Sequence, residues 1–168
     1  YSGGWRIIGS NDAITSLEEL KGKRIRTNGN PVTYITMDAI GAIPATPSEV
    51  GYTPGYDLID SGDLDASEST YLRFKGKNIL KTSHSLFLTT ISVSKKFWDS
   101  LDTRTQELMQ EAAVAAAKLE RQWSIEDAEQ FEQNCTADGV KIHELSQADL
   151  DELVALTMPV YNDVEGWQ

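Results

Sequence analysis

The sequence predicts an α/β fold with a largely parallel sheet. Short strand-like and helix-like runs alternate through the first third of the chain, the order from which parallel sheets are built. Leu86-Phe87-Leu88-Thr89-Thr90-Ile91-Ser92-Val93 is the clearest strand, rich in β-branched residues. The second half changes character and is dominated by one long helical stretch.

Taken in order, Trp5-Arg6-Ile7-Ile8-Gly9 reads as a strand with a Gly-Ser-Asn turn after it. Thr15 with Glu18 and Ser16 with Glu19 form overlapping capping boxes that start a short helix, which Lys21-Gly22 should end. Lys23 to Thr27 alternates as a strand, and Asn28-Gly29-Asn30-Pro31 makes a turn. Pro31 is placed at the first position of a helix running to about Ile40, with Gly41 as its stop. Residues 43–55 hold Pro44, Pro47 and Pro54 and read as loop with at most a turn of helix. Tyr56 to Ser61 reads as a short helix closed by Gly62, and Leu64-Asp65-Ala66 as a short strand.

Ser94 caps a short helix through Trp98, and Asp102 caps a much longer one. No Pro or Gly occurs from Thr103 to Asp138, and Gly139 supplies the stop. Such a helix is roughly 54 Å long at about 1.5 Å per residue. A globule of this length has a diameter near ~40 Å, so the helix either overhangs it or is broken. Met109, Ala112, Ala116, Leu119 and Trp123 form one apolar stripe, and Ile125, Ala128, Phe131 and Cys135 another, rotated by about 120°. Two stripes fit packing against two bodies; a kink near Ser124 with both halves on one core fits them equally. Val140-Lys141-Ile142 reads as an edge strand, and Ser146 with Asp149 opens a final amphipathic helix carrying Leu150, Leu153 and Leu156.

Composition bounds the function. The chain has 168 residues, 40% of them hydrophobic, with 15 Lys and Arg against 26 Asp and Glu, a net charge of −11. That balance disfavours non-specific binding to nucleic acid or anionic lipid, which needs clustered cations. No stretch approaches the roughly 18 consecutive apolar residues of a membrane-spanning helix. The single Cys135 excludes an internal disulfide and a cysteine-based zinc site. Tyr1-Ser2-Gly3-Gly4-Trp5 has neither an initiator methionine nor a targeting signal, an odd beginning that suggests a fragment.

Signatures of catalysis are missing. His84 and His143 lie far apart with no partner at metal-ligand spacing, and no hydrolase, zinc-protease, phosphate-loop or dinucleotide motif occurs. His84 sits among Thr82, Ser83 and Ser85, but sequence neighbours rarely form a nucleophile–base pair, which favours a structural histidine. The positive cluster Lys21, Lys23, Arg24 and Arg26 is more telling in so acidic a chain. On a strand Arg24 and Arg26 share a face, and Arg26 emerges where the strand ends. Ligands of α/β folds bind at the carboxyl ends of strands, and arginine offers a carboxylate a planar two-donor fork. The alternative is a solvated basic edge balancing Glu18 and Glu19.

Gly4-x-Arg6, Ser10-Asn11, Ile14 and Leu20-Lys21-Gly22-x-x-Ile25-Arg26 together resemble the solute-binding proteins of TRAP (tripartite ATP-independent periplasmic) transporters. Gly41-Ala42-x-Pro44, Tyr56-x-x-Ile59-x-x-Gly62-x-Leu64-Asp65-Ala66-x-Glu68, Thr82-x-His84, Val93-Ser94, Phe97-Trp98-x-x-Leu101 and the long helix continue the pattern in order. The resemblance implies a periplasmic-binding-protein-like, type II-like two-lobe fold with the N-terminal lobe largely missing and one long helix crossing between lobes. Residues 1–93 and 139–168 would form the C-terminal α/β lobe, and 94–138 the helical segment. It further implies periplasmic capture of an organic acid and delivery to a membrane permease, with no cofactor and no catalysis. Arg26 matches the family's principal carboxylate-binding arginine and Arg6 a supporting one. Ser69 stands where an asparagine often contacts the carboxylate, and Glu68 and Asn28 complete the candidate ligand-binding set. Pro54 replaces the usual acid two residues before the tyrosine, in a loop that is a few residues longer than usual. A fragment of this kind is expected to bind ligand weakly and to form a homodimer through the long helix, whose Met109–Trp123 face it would expose. A ligand-sensing domain of the same fold, and more remotely an enzyme using His84, are the rival readings.

Overall fold

One strand that runs against all the others organises the sheet. The computed structural model describes residues 2–51, 55–71, 74 and 76–163. Its strands are β1 (Ser2–Ser10), β2 (Arg24–Arg26), β3 (Ile43–Ala45), β4 (Ala66–Thr70), β5 (Asn78–Lys81), β6 (Leu86–Leu88) and β7 (Lys141–Glu144). The helices are α1 (Pro31–Ala39), α2 (Pro47–Val50), α3 (Gly55–Asp60), α4 (Lys95–Asp99), α5 (Thr103–Ala137), α6 (Gln147–Thr157) and α7 (Val160–Asp163). The sheet order is β3-β2-β4-β1-β5-β7, with β6 on the far end of β1. β1 is antiparallel to β4, β5 and β6, whereas β2 is parallel to β3 and β4, and β7 to β5. Among the described residues, six strands therefore share one direction and only β1 opposes them. The expected largely parallel sheet is mixed, because the reversed strand lies in its middle.

Several elements differ from the sequence reading for identifiable reasons. β3 was hidden by Pro44, which the sheet tolerates because β3 is an outer edge; the bonds are made by its neighbours, Ile43 N donating to Lys23 O (2.8 Å) and Thr27 N to Ala45 O (2.9 Å). β4 starts at Ala66 rather than Leu64, which instead packs with Ala45 and Ile59. The expected strand Leu86–Val93 pairs only over Leu86–Leu88, and Leu88 and Ile91 are 65% and 69% exposed. β-branched residues favour a strand that has a half-buried surface to lie on, and beyond Leu88 the described residues provide none. The overlapping capping boxes at Thr15 and Ser16 reduce to a 3-10 turn at Glu18–Leu20. There Ser16 Oγ accepts from Glu19 N, and the Glu19 carboxylate accepts from Thr15 N. Tyr1 and Pro54 lie outside the described residues.

Alternation along the strands divides the core. Ile8, Ile25, Ala66 and Leu80 face α1 and α6, where Met37, Ile40 and Leu153 cover them. Ile7 and Ile79 face the other way, onto Tyr71, Phe131 and Cys135 at the C-terminal end of α5. The Tyr71 and Phe131 rings meet at 5.7 Å between centroids.

α5 is a single run of 35 residues, about 52 Å long, with no break in helical structure at Ser124. Its second stripe seats Phe131 and Cys135 on the core, while Leu119 and Trp123 of the first are 46% and 54% exposed. Asp102 caps it by accepting from Thr105 N (2.9 Å), and Gly139 ends it in the left-handed conformation at φ 82°. Loss of such a cap costs about 1 kcal/mol, so Asp102→Ala should lower the unfolding free energy by that amount, read as a lower denaturant midpoint at unchanged slope. An unchanged midpoint would mean that tertiary contacts alone hold this end.

Candidate functional site

Because six strands point one way, their carboxyl ends collect along one edge of the sheet, the edge at which β1 enters. In α/β sheets this is where ligands bind. Arg26 closes β2 there, Ser69 and Thr70 close β4, Lys81 closes β5, and Arg6 stands opposite Thr70 in the β1–β4 register. The expected candidates Arg6, Arg26, Asn28, Glu68 and Ser69 are thus brought to a common edge from segments far apart in sequence.

Register divides them between two faces. Arg26 pairs with Ser67 across β2–β4, and Ser69 lies two residues further along β4, so these three share one face. Arg6, Glu68 and Thr70 occupy the other. Ser67 was not singled out from sequence; its spacing of two from Ser69 is the signal that could have found it.

Arg26 is half-buried, and its buried Nε has no hydrogen-bond partner among the described residues. Nor does any carboxylate among them lie within salt-bridge distance of it; Glu18, Glu19 and Asp65 engage Lys21, Thr15 and Lys23 or Arg24 instead. A buried guanidinium donor left unbonded is costly, so an acceptor placed here would stabilise it. Behind it the chain turns tightly into α1. Asn28 Oδ1 accepts from Asn30 N (2.9 Å), and Asn30 Oδ1 accepts from Val32 N (2.8 Å) as the cap of α1. Gly29 takes φ 78°, and a Cβ there would stand 3.2 Å from Pro47, so this turn suits glycine. Asn28 is exposed, with its side-chain carbonyl engaged in the turn. Ser69 Oγ donates to Thr70 O at 3.3 Å, a long bond that leaves its lone pairs available.

On the other face Arg6 and Glu68 form a buried pair. Glu68 is 2% exposed; Arg6 Nη2 donates to its Oε2 at 2.6 Å, and Arg6 Nε donates to its Oε1. The guanidinium also lies 5.9 Å from the centroid of the Phe87 ring. His84 Nε2 stands 3.4 Å from Glu68 Oε1, and its Nδ1 shares a 2.6 Å hydrogen bond with Thr82 Oγ1. Arg6 therefore meets the edge already charge-compensated, whereas Arg26 does not. His84 is the buried structural histidine that the sequence favoured, partnered by Thr82 rather than by Ser83 or Ser85.

Burial, with the Arg6 charge alongside, pushes the His84 imidazole down to about 4. A histidine kept neutral in the fold binds a proton more readily when unfolded, so between its ordinary value near ~6.5 and about 4 the unfolded state carries more protons. Stability should fall as pH drops through that window, and His84→Gln should remove this part of the slope. NMR showing the ring protonated at pH 6 would contradict it.

Where β5 ends, Lys81 pairs with Glu132 (3.1 Å) and Glu144 (3.2 Å), and Tyr71 donates to Glu132 (2.7 Å). This fastens α5 to the sheet, and burial together with Glu132 pushes the Tyr71 phenol well above its usual range. Among the described residues no group of three or more His, Cys, Asp or Glu could hold a metal, and no helix is long and apolar enough to cross a membrane.

Comparison with known proteins agrees with this architecture. The family model described as bacterial extracellular solute-binding protein, family 7, matches residues 1–166. The ectoine-binding periplasmic protein TeaA of Halomonas elongata is 30% identical over 123 residues, 69% of this chain and 35% of that protein. The C4-dicarboxylate-binding periplasmic protein DctP of Rhodobacter capsulatus is 22% identical over 175 residues, 98% of this chain and 51% of its own length. Among solved structures, a TRAP periplasmic solute-binding protein from Fusobacterium with bound sn-glycerol-3-phosphate superposes with a TM-score of 0.85 at 25% identity. That match covers 99% of this chain and 55% of the other. The chain thus spans about a third to a half of the curated relatives it matches.

Proposed function

The chain belongs to the TRAP periplasmic solute-binding proteins (bacterial extracellular solute-binding protein, family 7), a family of binding proteins rather than enzymes, and on that premise we propose that it grips a small organic acid for delivery to a membrane permease. Residues 1–93 and 139–168 form the acid-gripping lobe in this reading, and 94–138 is the helical segment that reaches a second lobe. Arg26 is the anchor, with Ser69 and Asn28 as neutral contacts around it; Arg6, tied to Glu68 and backed by His84, stiffens the edge from the opposite face.

The observation that carries this reading is the buried, unbonded Nε of Arg26 at the carboxyl edge of the sheet. A planar guanidinium with free donors matches a carboxylate, which accepts two parallel hydrogen bonds. The solutes named for relatives, ectoine, C4-dicarboxylates and sn-glycerol-3-phosphate, all carry an oxyanion. Mass spectrometry of small molecules released from the purified receptor should identify a carboxylic acid. Release of a neutral or purely cationic solute would overturn the assignment.

A further inference from the structure

The carboxyl edge of the sheet holds one positive charge that no neighbouring carboxylate answers. Arg6 is gripped by both oxygens of Glu68, with Nη2 donating to Oε2 at 2.6 Å. Lys81 lies between two carboxylates, Glu132 at 3.1 Å and Glu144 at 3.2 Å. The cavity beside it sets Lys81 and Arg121 against Glu129 and Glu132, equal numbers of each sign. At the start of β2, Arg24 donates to the Asp63 carbonyl and to the Asp65 carboxylate, and Lys23 stands 3.9 Å from Asp65. His84, beside Glu68, is buried and neutral at pH 7. Among the described residues at this edge, only Arg26 then has its charge left over.

The neighbours of Arg26 on its own face are small and uncharged. Ala45 and Ser67 stand beside it in register on β3 and β4, about 4.8 Å away between backbones, and Ser69 lies two residues further along. Both serines are half-buried; Ser69 Oγ makes only the long bond to Thr70 O, and Ser67 Oγ makes none among the described residues. Hydroxyls of this kind can bond an uncharged polar group, but they cannot offset a second ionised one. Arg6 is no substitute, because it lies two strands away on the opposite face. A second anionic group taken out of water here would have no counter-charge, a cost of several kcal/mol per ion in a buried setting. The chain's net charge of −11 adds to that cost with every further negative charge on the solute.

Resting on the reading of Arg26 as the anchor, we propose that this edge admits a single ionised group. The solute is a monocarboxylate whose other polar groups are uncharged, and dicarboxylates and phosphate dianions are rejected for want of a second cation. Selectivity of this kind comes from the charge left unpaired in the wrong complex rather than from better contacts in the right one.

Calorimetry on the receptor carrying both lobes tests this with propionate to hexanoate and their 2-hydroxy forms, malonate to adipate, and glycerol 3-phosphate. The tightest monocarboxylate should bind at least tenfold better than the dicarboxylate of equal carbon number and better than the phosphate ester. Ser69→Lys places a second cation on the Arg26 face and should shift the ratio at least tenfold toward the dicarboxylate. Circular dichroism checks that this variant folds; if it does not, the wild-type ranking decides alone. A dicarboxylate or glycerol 3-phosphate as the tightest binder overturns the proposal while leaving Arg26 as an anion anchor. An unchanged ratio in folded Ser69→Lys overturns it too, since charge would not be what excludes the diacid. Primary amides that bind as tightly as the acids, or no binding by any acid at millimolar concentration, overturn the anchor reading itself and this proposal with it.

Discussion

Replacing Arg26 with alanine in the receptor carrying both lobes should cost about 2–5 kcal/mol of affinity, a loss of thirtyfold or more. The range is that of a desolvated charge pair truncated on one side, and much of it is the penalty of leaving the ligand's carboxylate buried without its partner. Arg26→Lys should recover only part of the loss, because an ammonium is a point charge and cannot present two parallel donors. Calorimetry with the solute that the wild type releases would check both variants. A loss below tenfold would mean that the carboxylate is held elsewhere. Ser69→Ala, by contrast, removes one hydroxyl from a partly exposed position and should matter far less.

Glu68→Ala should be the most destabilising single change at the edge. It removes the bidentate partner of Arg6, which is 8% exposed, and breaking a buried ion pair from one side costs about 3–5 kcal/mol. Domains of this size are stable by roughly 5–15 kcal/mol, so the melting temperature should fall by about 6–20 °C. Replacing both partners together, Arg6→Met with Glu68→Leu, should restore most of that stability, since no charge is then left buried. If the double variant is as unstable as the single one, the edge depends on Arg6 for more than this pair. Calorimetric melting of the three proteins decides between the two outcomes.

The long helix was legible because its signals are local: a cap at Asp102, a stop at Gly139 and no breaker between them. The helix starting at Pro31 and the one starting at Ser146 were legible for the same reason. β3 and β5 were not. Each has three or four residues, β3 contains a proline, and both exist because neighbouring strands supply their hydrogen bonds. The segment from Thr89 to Val93 shows the converse, with strong strand chemistry and no strand among the described residues to pair with.

The site divides along the same line. Arg26 could be found from sequence because alternation and strand direction place it at a carboxyl end, and a cation cluster in an acidic chain draws attention to it. The two faces of the edge could not be found that way. Arg6 and Glu68 are 62 residues apart, and only the β1–β4 register brings them together and shows that Arg6 is compensated while Arg26 is not. Sequence patterns report what a residue can do; pairing between distant strands decides what it is free to do.

The central claim is that Arg26 recognises a carboxylate, and the most direct test holds the protein fixed and changes the ligand. The released acid and its primary amide, matched in shape but differing in charge, are titrated side by side into the wild-type receptor. The acid should bind at least tenfold more tightly than the amide, and that preference should collapse in Arg26→Ala. Equal affinity of the wild type for acid and amide would contradict the account.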